Sequence, residues 1–169
     1  MRRLSLLLLL LLSGCMGMPD GVTPVRHFET ERYLGTWYEV ARLDHSFERG
    51  LERVSAEYQP REDGGIRVIN RGVDSESGEI KEAVGKAYFV NDNQQGYLKV
   101  SFFGPFYGSY VVFELDDDYQ YAFVSGYNHD YLWLLARDTV VSPELKARFV
   151  ARSKALGFDV DGLIWVNQQ

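Results

Sequence analysis

A chain of 169 residues with 18 Lys+Arg against 24 Asp+Glu is the size of one domain with a sizeable core, and its net charge of −6 excludes the basic footprint that nucleic-acid phosphates require. Its single cysteine allows no internal disulfide, so packing must hold the domain together. Aromatic residues make up 14%, which suits strands wrapped around an apolar interior.

The chain opens on Arg2 and Arg3, then an apolar run from Leu4 to Leu12 interrupted only by Ser5, then the small residues Ser13 and Gly14. That is the anatomy of a secretory signal. At about 1.5 Å per residue the run is too short to cross about 30 Å of hydrocarbon. Cys15 follows at once, either as an inert small apolar residue or as the point where the chain is cut and acylated. Leu12-Ser13-Gly14-Cys15 resembles the lipobox of bacterial lipoproteins, which implies removal of residues 1–14 as a signal peptide and a lipid anchor to the membrane on Cys15. One acyl chain holds weakly, whereas two or more hold a domain stably. Met16 rather than Asp follows, which by resemblance to the Gram-negative sorting rule implies the outer membrane, facing the periplasm. Loss of Arg2 and Arg3 leaves 16 basic residues against 24 acidic ones. Residues 15–27, with Pro19, Gly21 and Pro24, read as a tether, and residues 28–169 as one domain.

From Trp37 onward, short strand-like runs alternate with turn residues. The expected strands are Trp37–Leu43, Arg53–Gln59, Ile66–Arg71, Ile80–Val90, Tyr97–Phe103, Tyr110–Leu115, Tyr121–Tyr127 and Tyr131–Arg137. Between them lie turn signals such as Asp63-Gly64-Gly65, Asn91-Asp92-Asn93 and Gly104-Pro105. Ser142-Pro143-Glu144 starts a helix, with Ser142 as N-cap and Pro143 in the first turn; Leu145, Phe149 and Leu156 share a face and Gly157 ends it. A short apolar run, Leu163–Val166, closes the chain. Eight strands at hairpin spacing predict an all-β fold: an antiparallel up-and-down barrel or a sandwich, with one C-terminal helix and a short final strand. Alternation sorts the faces: Val54, Ala56 and Tyr58 on one side of their strand, Ile66, Val68 and Asn70 on the next, Leu98, Val100 and Phe102 on a third. The last long strand is apolar on both faces, as expected where a helix packs outside.

Gly35-Thr36-Trp37-Tyr38-Glu39 resembles the G-x-W motif that opens the first strand of lipocalins, and Arg137, ending Leu132-Trp133-Leu134-Leu135-Ala136-Arg137, resembles the family's third conserved region. The middle region, Asp117-Asp118-Tyr119-Gln120-Tyr121-Ala122, matches only in part. Lys86-Ala87-Tyr88-Phe89, the stretch Lys99–Gly108 and Asp130-Tyr131-Leu132-Trp133 are similar to the bacterial lipoprotein branch of the family, relatives of apolipoprotein D. The resemblance implies an eight-stranded lipocalin barrel whose closed end is sealed by Gly35, Trp37 and a stacked Arg137. A guanidinium is weakly hydrated and suited to that role.

Such a barrel is just wide enough for one small ligand. The implied partner is a fatty acid or lysophospholipid, stored or carried for envelope maintenance. Its acyl chain would lie against Val54, Ala56, Tyr58, Ile66 and Val68, then Leu98, Val100, Phe102, Val111 and Phe113, then Val124, Trp133 and Leu135. Asn70 would meet a polar group of the ligand, or else bond backbone or water. In lipocalin topology His45, Arg49 and His129 fall at the open mouth, where cations meet an anionic lipid head. Phe106 and Tyr107 also fall there, and fit ligand access or a homodimer contact, with packing under their own loop as the alternative. The three histidines lack metal-ligand spacing, so no metal and no cofactor are expected. No nucleophile elbow, P-loop or barrel cysteine is present, so the chain reads as a binder and not an enzyme. The competing readings are an envelope scaffold with a filled barrel, and a carrier of a rigid apolar ligand such as a tetrapyrrole or sterol.

Overall fold

The computed structural model describes residues 16–169, so the signal segment and Cys15 lie outside the described residues. Nine strands are formed: β1 (Gly35–Leu43), β2 (Leu51–Pro60), β3 (Ile66–Asp74), β4 (Ile80–Phe89), β5 (Tyr97–Phe103), β6 (Phe106–Leu115), β7 (Tyr121–Ser125), β8 (Leu132–Ala136) and β9 (Leu163–Trp165). Each of β1 to β7 pairs antiparallel with the next strand, and β1 also pairs with β8, which closes the ring, while β9 pairs with β1. The expected up-and-down barrel is therefore what the chain forms, and closure removes the exposed edges an open sheet would carry. Two short elements were not foreseen: α1 (Thr30–Tyr33), a single turn that feeds Tyr33 into the closed end, and a 3-10 turn at Val160–Gly162 just before β9.

The helix α2 (Pro143–Ala155) is built as its sequence dictates. Ser142 Oγ accepts from the Leu145 N–H at 3.1 Å, and Gly157 leaves the helix with φ +90°. Leu145, Phe149 and Leu156 pack onto the outer wall with Phe123, Leu132 and Leu134. A second cluster, with Trp37, Tyr58, Ile66, Val68, Leu98 and Val124 among its members, lies inside the barrel. The wall thus separates two apolar cores, one enclosed by the barrel and one under the helix.

Two irregularities decide which side chains go where. In β6 the pairing with β7 slips between Val112 and Glu114. Val112 points inward, while Val111 and Phe113, expected in the cavity, belong to the outer core beneath α2. In β1 the register with β8 slips between Glu39 and Ala41. Glu39 then pairs with Leu135 and Arg42 with Trp133, whose side chains belong to the inner cluster, so both charged residues face the barrel interior.

The first and last described segments are tied to this wall. Residues 16–27, read from sequence as a tether, lie along it: Gly17 N donates to Tyr97 Oη at 3.1 Å, Val25 N to Val112 O at 2.9 Å, and Gly96 N to Val25 O at 2.9 Å. At the other end, β9 pairs with the upper half of β1, and the tail after it wedges between β1 and β2. Arg53 N donates to Asn167 O at 2.7 Å, and Gln168 Nε2 donates to the carbonyls of Glu39 and Val54 at 2.8 and 2.9 Å.

Candidate functional site

The closed end is a stack of side chains. Trp37 is fully buried and its Nε1 donates to Tyr33 O at 2.7 Å. The Arg137 guanidinium lies 4.0 Å over the indole and donates to Thr36 O at 2.9 Å and Arg32 O at 2.8 Å. Gly35 has φ +94°, and a Cβ there would sit 3.3 Å from Arg137 Nη1, so both conformation and space call for glycine. These three residues hold the floor and leave no reactive group pointing into the barrel.

Above the floor the inner face grades from dry to wet. Ile66, Val68, Leu98, Val124 and Leu135 are buried, and Val54 is buried beside Gly72. Toward the other end Ala56, Asn70, Val100 and Trp133 are only half-buried, and Phe102 is 44% exposed. The wall also parts there: β4 runs up to Ile80, yet its pairing with β5 stops at Lys86↔Ser101. At that seam the Phe102 ring lies where a Cβ on Gly85 would point.

One side of this upper lumen is polar, which the apolar pattern of the strands does not foretell. Glu39 Oε1 accepts from Arg42 Nη1 at 2.7 Å, with both side chains buried. Arg42 Nη2 also donates to Glu48 O at 2.8 Å and Leu51 O at 3.2 Å. Glu48, from the β1–β2 loop, accepts from Trp133 Nε1 at 3.0 Å and lies 2.8 Å from His45 Nε2. Burial, then the neighbouring Glu48 charge, pushes the Glu39 carboxyl well above the ordinary carboxylate range despite Arg42. Burial pushes Glu48 the same way, but the hydrogen bond and charge of His45 and the Trp133 N–H outweigh it and hold Glu48 low. The two acids of one site are thus driven apart, Glu39 upward and Glu48 downward.

At the mouth the sequence-based assignments divide. His45 is not a solvated rim cation: it is buried, with its ring packed against Trp133, Tyr131 and Phe47. His129 is turned to the outside, where Nε2 meets Leu156 O at 2.9 Å and the ring stands edge-on to Phe158. Tyr107 also lies on the outer wall, against Tyr88 and under Lys99. Arg49 is exposed and engaged with Asp44 at 2.8 Å. Phe106 does stand at the rim with Phe47, Ile80 and Phe103, the last 80% exposed. Among the described residues no group of three His, Cys, Asp or Glu side chains is placed to hold a metal.

A closed eight-stranded cup with an aromatic floor, an apolar lower lining and an accessible upper lumen defines a class of small-ligand-binding β-barrels. The chain belongs to the lipocalin family: residues 28–168 match the model of the lipocalin-like domain. It is 63% identical, over the whole of both chains, to the outer membrane lipoprotein Blc of Vibrio cholerae, and 52% identical to that of Escherichia coli, over 89% of this chain and 85% of that one. Apolipoprotein D of Bos taurus is 32% identical over 82% of each. Among solved structures, insecticyanin from the tobacco hornworm superposes with a TM-score of 0.71 at 22% identity, covering 89% of this chain and 86% of that one, and shows the shared fold. With the bacterial relatives goes the place of the chain, a lipoprotein of the outer membrane of a Gram-negative envelope.

Proposed function

We propose that this chain is a carrier that binds one fatty acid or lysophospholipid in the barrel lumen, storing or moving lipid in the maintenance of the envelope. The observation that supports this reading is the gradient along the inner face. Ala56, Val100 and Trp133 belong to the inner apolar cluster and yet keep solvent-accessible surface, as the walls of a cup do and the centre of a filled core does not. Burying an acyl chain there yields about 0.8 kcal/mol per methylene, so ten methylenes give roughly 8 kcal/mol before ordering costs, in the range of micromolar binding. The exposed Phe47, Phe103 and Phe106 stand where such a chain would pass. Among the described residues, the acids that face the lumen, Glu39 and Glu48, are engaged by Arg42, His45 and Trp133, which fits a binder.

Val100→Trp tests the reading. Val100 sits opposite Ala87 in the β4–β5 ladder, on the half-buried part of the inner face. If the space above it belongs to ligand, the larger side chain enters that space, binding of a fluorescent fatty acid or lysophospholipid drops at least tenfold, and the urea midpoint barely moves. The wild type should bind one molecule per chain, saturably. In a filled barrel the same change overpacks the core by about 1–3 kcal/mol and has no binding to remove. Absence of binding to the wild type, with a destabilised variant, would leave the scaffold reading in place of the carrier.

A further inference from the structure

Between the filled lower half of the barrel and its open upper half lies a row of hydroxyl groups. Tyr58 points in from β2 and Tyr110 from β6, strands on opposite sides of an eight-membered ring, and their Oη atoms meet at 2.8 Å. Tyr33, carried in by α1, places its own Oη 2.6 Å from that of Tyr110. Tyr33 and Tyr58 are buried, while Tyr110 keeps some accessible surface. Below this bar lie Phe28 and Trp37, packed ring against ring with Tyr33. Above it begin the half-buried Ala56 and Val100.

The protons in this bar can be counted. Each phenol has one to give and can accept in return. Burial pushes all three hydroxyls above the ordinary tyrosine range, so each keeps its proton at any working pH. Three oxygens joined by two contacts use two protons, whichever way each bond is directed. The third has no acceptor among the described residues. A buried donor left without a partner is costly, whereas one that finds an oxygen is not.

We propose that the Tyr33–Tyr110–Tyr58 bar is the terminal subsite of the lumen and donates its third proton to an oxygen at the inner end of the ligand. The proposal rests on the carrier reading and narrows its ligand class. The bar sets the depth of the cup: from Tyr58 to Leu51 along β2, at about 3.3 Å per residue and a tilt of about 40°, the lumen is about 18 Å deep. A plain acyl chain entering methyl-first sets its terminal carbon against the spare hydroxyl. A slender amphiphile whose leading end carries a carboxyl, hydroxyl or keto oxygen satisfies it. A fatty acid meets the condition by entering carboxyl-first; a lysophospholipid, with its head held at the mouth, meets it only if its chain end is oxygenated.

The test uses two lysophosphatidylcholines that differ at one atom, the dodecanoyl species and its 12-hydroxydodecanoyl analogue. The bulky charged head keeps both in the same orientation, so only the inner end changes. A terminal hydroxyl ordinarily weakens binding to an apolar site. Here it should strengthen binding to the wild type by about three- to tenfold, the worth of one hydrogen bond. The single variant Tyr58→Phe should keep the preference, because Tyr33 and Tyr110 still hold two protons and one bond. The triple variant Tyr33→Phe/Tyr58→Phe/Tyr110→Phe should reverse it, with urea melts confirming that it is folded. The wild-type comparison decides without any variant: equal or weaker binding of the hydroxylated lipid overturns the subsite and leaves the carrier reading untouched. A preference that survives in the folded triple variant also overturns it. If neither of these lipids nor a fluorescent fatty acid binds the wild type, the carrier reading falls and the subsite with it.

Discussion

Glu39 is a carboxylic acid in a barrel wall, held between Arg42 and Glu48 and cut off from water. Because its folded-state pKa stands above the unfolded value of about 4.3, folding binds an extra proton, and stability falls as pH rises from that value through the folded one. Glu48 works in the opposite sense: its lowered pKa gives stability that is present at neutral pH and lost as pH falls through the folded value. The variant Glu39→Gln copies the protonated acid, with an oxygen for Arg42 and an N–H for Glu48. It should match the wild type near pH 4.5 and be increasingly more stable as the pH is raised toward 8, with the Glu48 contribution common to both. Urea midpoints across that range would show it, and a gap that stays constant or shrinks would mean that Glu39 is ionised in the fold. This pair was hidden from the sequence. Alternation from Trp37 groups Glu39 with Ala41 and Leu43, and nothing in Glu39-Val40-Ala41-Arg42 announces the slip that brings Glu39 and Arg42 inward together while Ala41 and Leu43 join the outer core. By contrast the pairing of Trp37 with Arg137 was legible through the resemblance of Gly35-Thr36-Trp37 and of the stretch ending in Arg137 to two lipocalin motifs.

At the scale of elements, legibility followed the contrast between the two faces of a strand. β5 alternates polar and apolar residues from Leu98 to Phe102, and β3 does so over Ile66-Arg67-Val68; their inner faces were assigned as found, Ile66, Val68 and Asn70 in one, Leu98 and Val100 in the other. In β6 the run Tyr110-Val111-Val112-Phe113 is apolar throughout, so the pattern had no phase, and Val111 and Phe113 were placed on the wrong side of the wall. The Tyr58–Tyr110 contact was invisible for another reason: it joins strands that are opposite and not adjacent, and only closure of the ring brings them together. The last element shows what closure costs. Slips in β1 and β2 leave backbone groups of Glu39 and Val54 without strand partners, and the Gln168 amide supplies both hydrogen bonds. Gln168→Ala should therefore destabilise the barrel by about 1–3 kcal/mol, the range for leaving buried acceptors unpaired, although the residue lies at the end of the chain. A urea midpoint equal to that of the wild type would mean that the tail merely lies against the seam.

For the whole molecule, we read the barrel as folding on its own packing, with the membrane anchor at its amino-terminal end. Among the described residues, 16–169, two apolar cores are formed, one inside the barrel and one beneath α2. The described chain is docked from Gly17 onward, by the Tyr97 hydroxyl and then by Val25, so the leash to Cys15 is very short. We read Cys15 as the sole attachment point, since no other thiol exists in the chain. Several acyl chains at that residue would hold the domain to the bilayer, whereas its acidic surface gives no attraction to anionic lipid. Cys15→Ser should accordingly lose palmitate labelling and leave the membrane fraction, while the isolated domain keeps the wild-type melting curve and the wild-type affinity for a fluorescent fatty acid. The combination matters, because it separates anchoring from binding. Loss of membrane association together with a lowered melting temperature would mean that the lipid also stabilises the fold. Continued labelling of the serine variant would remove Cys15 from its assigned role altogether, and the short run before it would then have to be explained as an ordinary cleaved signal.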